Sequence, residues 1–129
     1  VVKAGDIVSL MGMYSSDYHN SVKALASIAS RAGARLLMVA KYPHTKTGIE
    51  DCRKRDKEWF GKVLELPEVK GIANRTHIIS LCQWYCTKET CNSIPGTKVS
   101  WTDDGAHPNG QSNFYLGPFL CSELQRIFP

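Results

Sequence analysis

Short apolar runs alternate with amphipathic helical segments, and this alternation restricts the possible folds more than any other feature of the sequence. The runs Asp6–Gly12, Arg35–Ala40 and Thr76–Leu81 are partly β-branched and bounded by turn residues, which is typical of buried strands. Between them, apolar residues recur at helical spacing, first up to Gly33 and then over about Glu50–Leu66. Helices between consecutive strands give right-handed crossovers that join parallel strands. We therefore predict an α/β fold, a three-layer α/β/α sandwich with a parallel sheet.

A last helix is predicted over about Gln111–Ile127, where Gly117-Pro118 interrupts the apolar pattern, so a kink or a late start is expected. Three strands make a thin parallel sheet, because such sheets are covered on both faces and generally contain more strands. We therefore expect residues 1–129 to form a single domain that is the C-terminal portion of a larger one, incomplete at its N-terminus.

The charge distribution argues against nucleic acid as a partner, and the hydropathy argues against a membrane-spanning helix in these residues. Sixteen Lys and Arg stand against twelve Asp and Glu, and the basic residues are scattered apart from Arg53-Lys54-Arg55. That short run is typical of a solvated helix face, so nucleic acid is not expected as a partner. No stretch approaches the roughly 20 consecutive apolar residues that a membrane-spanning helix needs.

The cysteines favour disulfides over a metal site. Five cysteines form no Cys-x2-Cys pair, and His77 lacks the spacing of a zinc ligand, so a structural metal is not expected. No cofactor is expected either. Cys82, Cys86 and Cys91 crowd into one loop-like stretch where thiols can approach to disulfide distance. The odd count leaves at least one thiol unpaired within this chain. An oxidising compartment is therefore the expected location.

Asn74-Arg75-Thr76 matches the N-glycosylation pattern and lies between two apolar runs. The triplet agrees with a luminal or extracellular location, although such triplets also occur by chance. Asn74 is therefore a candidate glycosylation site.

The loop before the last helix carries the strongest functional signal. It has the sequence TDDGAHPNG, in which Asp104 precedes His107 by three residues in a Gly- and Pro-containing turn. A turn of that length can place the carboxylate of Asp104 against Nδ1 of His107, so that Nε2 faces a nucleophile. On spacing alone, however, an Asp-x-x-His turn is more often a helix cap beside an exposed imidazole.

The block Asp104–Asn109 resembles the final block of the SGNH hydrolase superfamily, in which Asp and His complete a Ser-His-Asp triad before the terminal helix. The order of strands and helices is also similar to that flavodoxin-like fold. More narrowly, Lys3–Val8, Ala32–Leu36 and Leu116–Cys121 resemble the SGNH domain attached to acyltransferase family three membrane proteins. The resemblance implies serine-type acyl transfer to cell-surface carbohydrate, by an O-acyltransferase or an acyl esterase. It also implies an acyl donor with a carbohydrate acceptor, or an ester substrate, and a multi-span membrane domain fused upstream.

The sequence departs from that family at the nucleophile. The family carries its serine in a Gly-Asp-Ser block after the first strand, whereas here Gly5-Asp6 is followed by Ile7 and precedes a strand. The resemblance therefore places the serine upstream of Val1, and we expect the isolated chain to be inactive toward esters.

A second departure concerns the oxyanion block Gly-x-Asn, which would align with Gly12-Met13-Tyr14, with tyrosine in place of asparagine. Tyr14 could donate a hydrogen bond through its hydroxyl, or could serve as an aromatic lid over the edge of the sheet. Gly12 and Tyr14 are therefore candidates for oxyanion or substrate contacts.

Two other functions remain open. A non-catalytic luminal module could hold carbohydrate with Trp84 and Trp101, whose aromatic faces suit sugar rings. A stand-alone secreted carbohydrate esterase would need the same Asp104 and His107 but no membrane domain.

Overall fold

The three predicted strands form one parallel sheet in a computed structural model that describes residues 1–11, 16–94 and 96–129. Within these residues the strand order follows the chain: β1 (Ile7–Met11), β2 (Arg35–Val39) and β3 (Thr76–Ile79). Val8 of β1 is paired with Leu36 of β2, which on its other side is paired with Thr76 of β3. The prediction of an α/β fold with a parallel sheet is confirmed.

Helices follow each strand along the chain. Those of the described residues are α1 (Ser16–Ala32), α2 (Ile49–Leu64), α3 (Pro67–Lys70), α4 (Cys82–Tyr85) and α5 (Gly110–Ile127), with a 3₁₀ turn at Ala73–Arg75. Gly33 ends α1 in the left-handed region at φ 68°, as expected for a helix stop. None of these helices combines the length and the apolarity that crossing a membrane requires.

The observed ends of two helices differ from the predictions. α2 ends at Leu64 rather than Leu66, because Leu66 is extended (ψ 132°) before Pro67, which begins α3. α5 starts at Gly110 and continues through Pro118, so of the two predicted alternatives the late start is wrong and the kink stays a prediction. Asn109 caps this start by accepting a hydrogen bond from the backbone N–H of Ser112, which stabilises the first turn.

The chain divides into two compact units: Val1–Lys41 with Asp56–Ile79, and Tyr42–Arg55 with Ser80–Pro129. In the first unit, fully buried Leu36 and Met38 of β2 pack in a core with apolar residues of α1 such as Val22 and Ala26. Val8 and Leu10 of β1 pack against that core, whereas Ile7 and Met11 of the same strand are exposed. The alternation along β1 is that of a strand covered on one face.

The second unit is built around disulfides and aromatic side chains. Tyr85 and Trp101 are fully buried and in tilted contact, with ring centroids 5.1 Å apart. Cys52, Cys82, Cys86 and Cys91 form a second buried cluster of this unit. The loop that carries Asp104 and His107 belongs to this unit.

Candidate active site

The structure brings the Asp104 and His107 side chains together. Oδ2 of Asp104 lies 2.7 Å from Nδ1 of His107, in the loop between Trp101 and α5. The imidazole is 82% exposed and the carboxylate 57% exposed. The contact is the one that the Asp-x-x-His spacing predicts.

The other carboxylate oxygen of Asp104 is held by the loop itself. Oδ1 accepts hydrogen bonds from the backbone N–H groups of Ala106 and His107, both at 2.9 Å, and from the hydroxyl of Thr102 at 3.1 Å. The bond from the His107 side chain, followed by those backbone bonds, holds the pKa of the Asp104 carboxyl well below its usual range. Asp104 is therefore a carboxylate at neutral pH.

Because Asp104 is ionised, the position of the proton on the His107 imidazole follows. An ionised carboxylate only accepts hydrogen bonds, so Nδ1 of His107 must be the donor in the contact with Oδ2. In the neutral imidazole, Nε2 then carries a lone pair. Nε2 has no hydrogen-bond partner among the described residues. The pair can therefore accept a proton from a hydroxyl nucleophile and stabilise the resulting imidazolium.

Asn109 closes the loop at its C-terminal end. Its side-chain amide donates to the carbonyl of Ser100 at 3.1 Å and to Oδ1 of Asp103 at 3.0 Å. Its side-chain oxygen accepts from Ser112 N at 2.9 Å, and its own N–H donates to the carbonyl of Trp101 at 2.9 Å. One residue thus joins the two ends of the loop to the start of α5.

Trp101 anchors the other end of the loop. Its ring is fully buried, donates from Nε1 to the carbonyl of Cys91 at 2.5 Å, and stacks on Tyr42 with centroids 5.3 Å apart. Cys91 is itself disulfide-bonded to Cys86. Since Trp101 is buried, its ring is not open to a sugar; Trp84, half-buried, stacks on Phe119 with centroids 4.7 Å apart.

The predicted disulfide-forming cysteines are all bonded, but the pairing extends beyond their stretch. Cys86 pairs with Cys91, whereas Cys82 pairs with Cys52, which lies 30 residues earlier. Cys121 is the free, exposed thiol of the described residues. The sulfur atoms of Cys52, Cys86 and Cys91 lie within 4.8 Å of one another, yet as disulfide sulfurs they offer no thiolate to a metal. Two disulfides in the described part of so short a chain are typical of oxidising, extracytoplasmic compartments.

The other predicted site residues stay predictions. Gly12 and Tyr14 lie outside the described residues, so their oxyanion or substrate role stays a prediction. Asn74 is exposed in the 3₁₀ turn before β3, and its glycosylation also stays a prediction. The sequence pattern does not distinguish Thr102 from other loop residues, whereas the position of Asn109 just before a predicted helix is typical of a cap.

Compared with known proteins, the chain matches no family model, no curated protein and no solved structure.

Proposed function

We propose that Asp104 and His107 are the acid–base pair of a serine-type acyl-transfer centre of the SGNH kind. The 2.7 Å contact between Oδ2 of Asp104 and Nδ1 of His107, with Nε2 left open, is the observation that carries this proposal. The nucleophile is a serine in a Gly-Asp-Ser block upstream of Val1. The substrate is an acyl ester or a pair of acyl donor and cell-surface carbohydrate.

Each half of the reaction uses two proton transfers at one nitrogen. Nε2 of His107 takes the proton of the serine hydroxyl as the serine oxygen attacks the acyl carbonyl. Asp104 keeps the imidazole oriented and stabilises the imidazolium that forms. Nε2 then gives that proton to the leaving oxygen, which completes formation of the acyl-serine. In the second half, Nε2 takes a proton from water or a glycan hydroxyl as its oxygen attacks the acyl-serine, and returns this proton to the departing serine oxygen.

The exposure of His107 agrees with a centre that is completed by another segment. With 82% of its side-chain surface exposed, His107 has room at Nε2 for the serine of another segment. The exposed Ile7 and Met11 on one face of β1 likewise leave apolar surface for a covering layer. We therefore extend the proposal to a three-layer sandwich completed by upstream chain, on the extracytoplasmic side of a membrane.

The proposal is tested on the native polypeptide that contains this chain and a Gly-Asp-Ser block. The serine should react with a fluorophosphonate probe and show a burst of acyl-enzyme formation with p-nitrophenyl acetate. In triad enzymes, loss of the histidine lowers kcat by about 10⁶-fold and replacement of the aspartate by asparagine lowers it by about 10⁴-fold. We expect losses of this order for His107→Ala and Asp104→Asn.

His44→Ala is the matched control, since His44 is an exposed loop histidine whose Nδ1 accepts a hydrogen bond from the backbone N–H of Lys46. Serine labelling and turnover should be unchanged in this variant. Labelling that His107→Ala leaves intact would refute the proposal. Carbohydrate binding that survives His107→Ala, without any labelled serine, would instead favour a non-catalytic binding module.

A further inference from the structure

Thr102 contributes a buried hydroxyl to an otherwise exposed pair. Its side chain belongs to a residue only 7% exposed, and Oγ1 lies 3.1 Å from Oδ1 of Asp104. Oγ1 of Thr102 also accepts a hydrogen bond from the backbone N–H of Gly105 at 3.0 Å. Since that N–H occupies a lone pair, the hydroxyl proton is directed to the carboxylate.

The two carboxylate oxygens of Asp104 accept hydrogen bonds from different donors. Oδ1 takes the hydroxyl of Thr102 and the N–H groups of Ala106 and His107, whereas Oδ2 takes Nδ1 of His107. Three donors on Oδ1 favour the carboxylate rotamer in which Oδ2 faces the imidazole. An exposed aspartate without them would exchange its oxygens and sample other rotamers.

Thr102 is itself held in place by the backbone around it. It forms an isolated antiparallel bridge with Pro108, across the loop. Oγ of Ser100 donates to the carbonyl of Thr102 at 2.6 Å and accepts from its N–H at 3.3 Å. The hydroxyl of Thr102 therefore projects from a braced position toward the exposed carboxylate of Asp104.

We propose that Thr102 is a positioning residue that, through Asp104, keeps the proton of neutral His107 on Nδ1 and the lone pair on Nε2. The role of Thr102 in catalysis rests on the proposed acyl-transfer function. The tautomer itself is a property of the described loop and can be measured without any nucleophile.

The test uses the 129-residue chain with ¹⁵N-labelled histidine. Imidazole ¹⁵N shifts at about pH 8.5, above the ordinary titration range of histidine, report which nitrogen carries the proton. In the unaltered chain we expect His107 to be mainly the Nδ1–H tautomer. Thr102→Val should lower the ratio of Nδ1–H to Nε2–H, by at most about tenfold, the limit set by the net value of one hydrogen bond. Thr102→Ser, which keeps the hydroxyl, should restore it.

Thr97→Val is the matched control, because Thr97 also donates a turn hydrogen bond (to Ile94 O, 2.8 Å) and accepts one (from Val99 N, 3.1 Å) away from Asp104. It should leave the His107 tautomer unchanged. If Thr102→Val disturbs the dispersion of the amide spectrum, Thr102→Ala removes the hydroxyl without filling the space and repeats the measurement.

The outcomes separate this inference from the proposed function. An unchanged tautomer in the folded hydroxyl-free variant, or a change that Thr102→Ser does not reverse, overturns the role of Thr102 whatever the activity. A reversible change of tautomer, in a protein whose serine labelling is indifferent to His107→Ala, keeps the positioning role and rejects the acyl-transfer function. In the active polypeptide, Thr102→Val should lower kcat with little change in KM.

Discussion

The hydrogen bond between Tyr85 and Ser112 gives the sharpest stability prediction. Both residues are fully buried, and their hydroxyl oxygens lie 2.5 Å apart, joining α4 to the first turn of α5. Within the described residues, the two hydroxyls are hydrogen-bonded to each other and to no other side chain. Removing either one leaves the other buried without a partner, which costs about 1–3 kcal/mol.

The double variant separates this penalty from the value of the bond. Tyr85→Phe and Ser112→Ala should each lower the free energy of unfolding by about 2 kcal/mol. With both hydroxyls gone, no unsatisfied group remains, and the loss should be only about 1 kcal/mol, the net value of one hydrogen bond. The single losses sum to about 4 kcal/mol, so the cycle should show a coupling of about 3 kcal/mol, at the upper end for residues in contact.

The assay is urea unfolding of the oxidised chain, followed by tryptophan fluorescence. Tyr115→Phe, on the same helix and only half-buried, is the control and should change stability by less than about 0.5 kcal/mol. Additive losses in the double variant would refute the reasoning, because they would mean that the two hydroxyls are not each other's partners. A neutral Tyr85→Phe variant would refute it as well.

Two further predictions concern pH and the disulfides. Burial raises the pKa of Tyr85 to about 12, so its protonated form favours the folded state: the contribution is complete below about pH 10 and lost as the pH rises toward 12. The fall in unfolding free energy over that range should therefore be shallower in Tyr85→Phe, and equal slopes would contradict this. The Cys52–Cys82 disulfide joins cysteines 30 residues apart and the Cys86–Cys91 disulfide joins cysteines 5 residues apart. Replacing both cysteines of a pair by alanine should therefore lower the free energy of unfolding by about 4 kcal/mol for the first and about 2 kcal/mol for the second, from loop-closure entropy. Urea unfolding measures both, and a larger loss for the shorter loop would count against the entropic argument.

The sheet and the long helices could be predicted because their signals are local. The strand expected at Arg35–Ala40 is observed at Arg35–Val39, since a short, partly β-branched apolar run needs no distant information. The errors lie where one residue changes the backbone, as at Pro67, which separates α2 from α3. At Pro118 the predicted late start is wrong, because the helix continues through the proline. A proline removes one helical N–H, and the remaining bonds of α5, with its capped start, are enough to continue the helix.

The candidate site divides in the same way between local and distant information. Asp104 and His107 are three residues apart, so their contact follows from one turn and the spacing is sufficient to predict it. The hydrogen bonds that hold that turn in place join residues distant in sequence. Trp101 donates to the carbonyl of Cys91, ten residues earlier, and Tyr85 is bonded to Ser112 across 27 residues. A single sequence does not encode such pairings as a pattern, because they depend on how the chain returns on itself. The geometry of the pair is therefore a local property, whereas its rigidity is set by buried contacts distant in sequence. Variants at those positions should lower the rigidity of the loop that carries Asp104 and His107, although the substituted residues do not contact the pair.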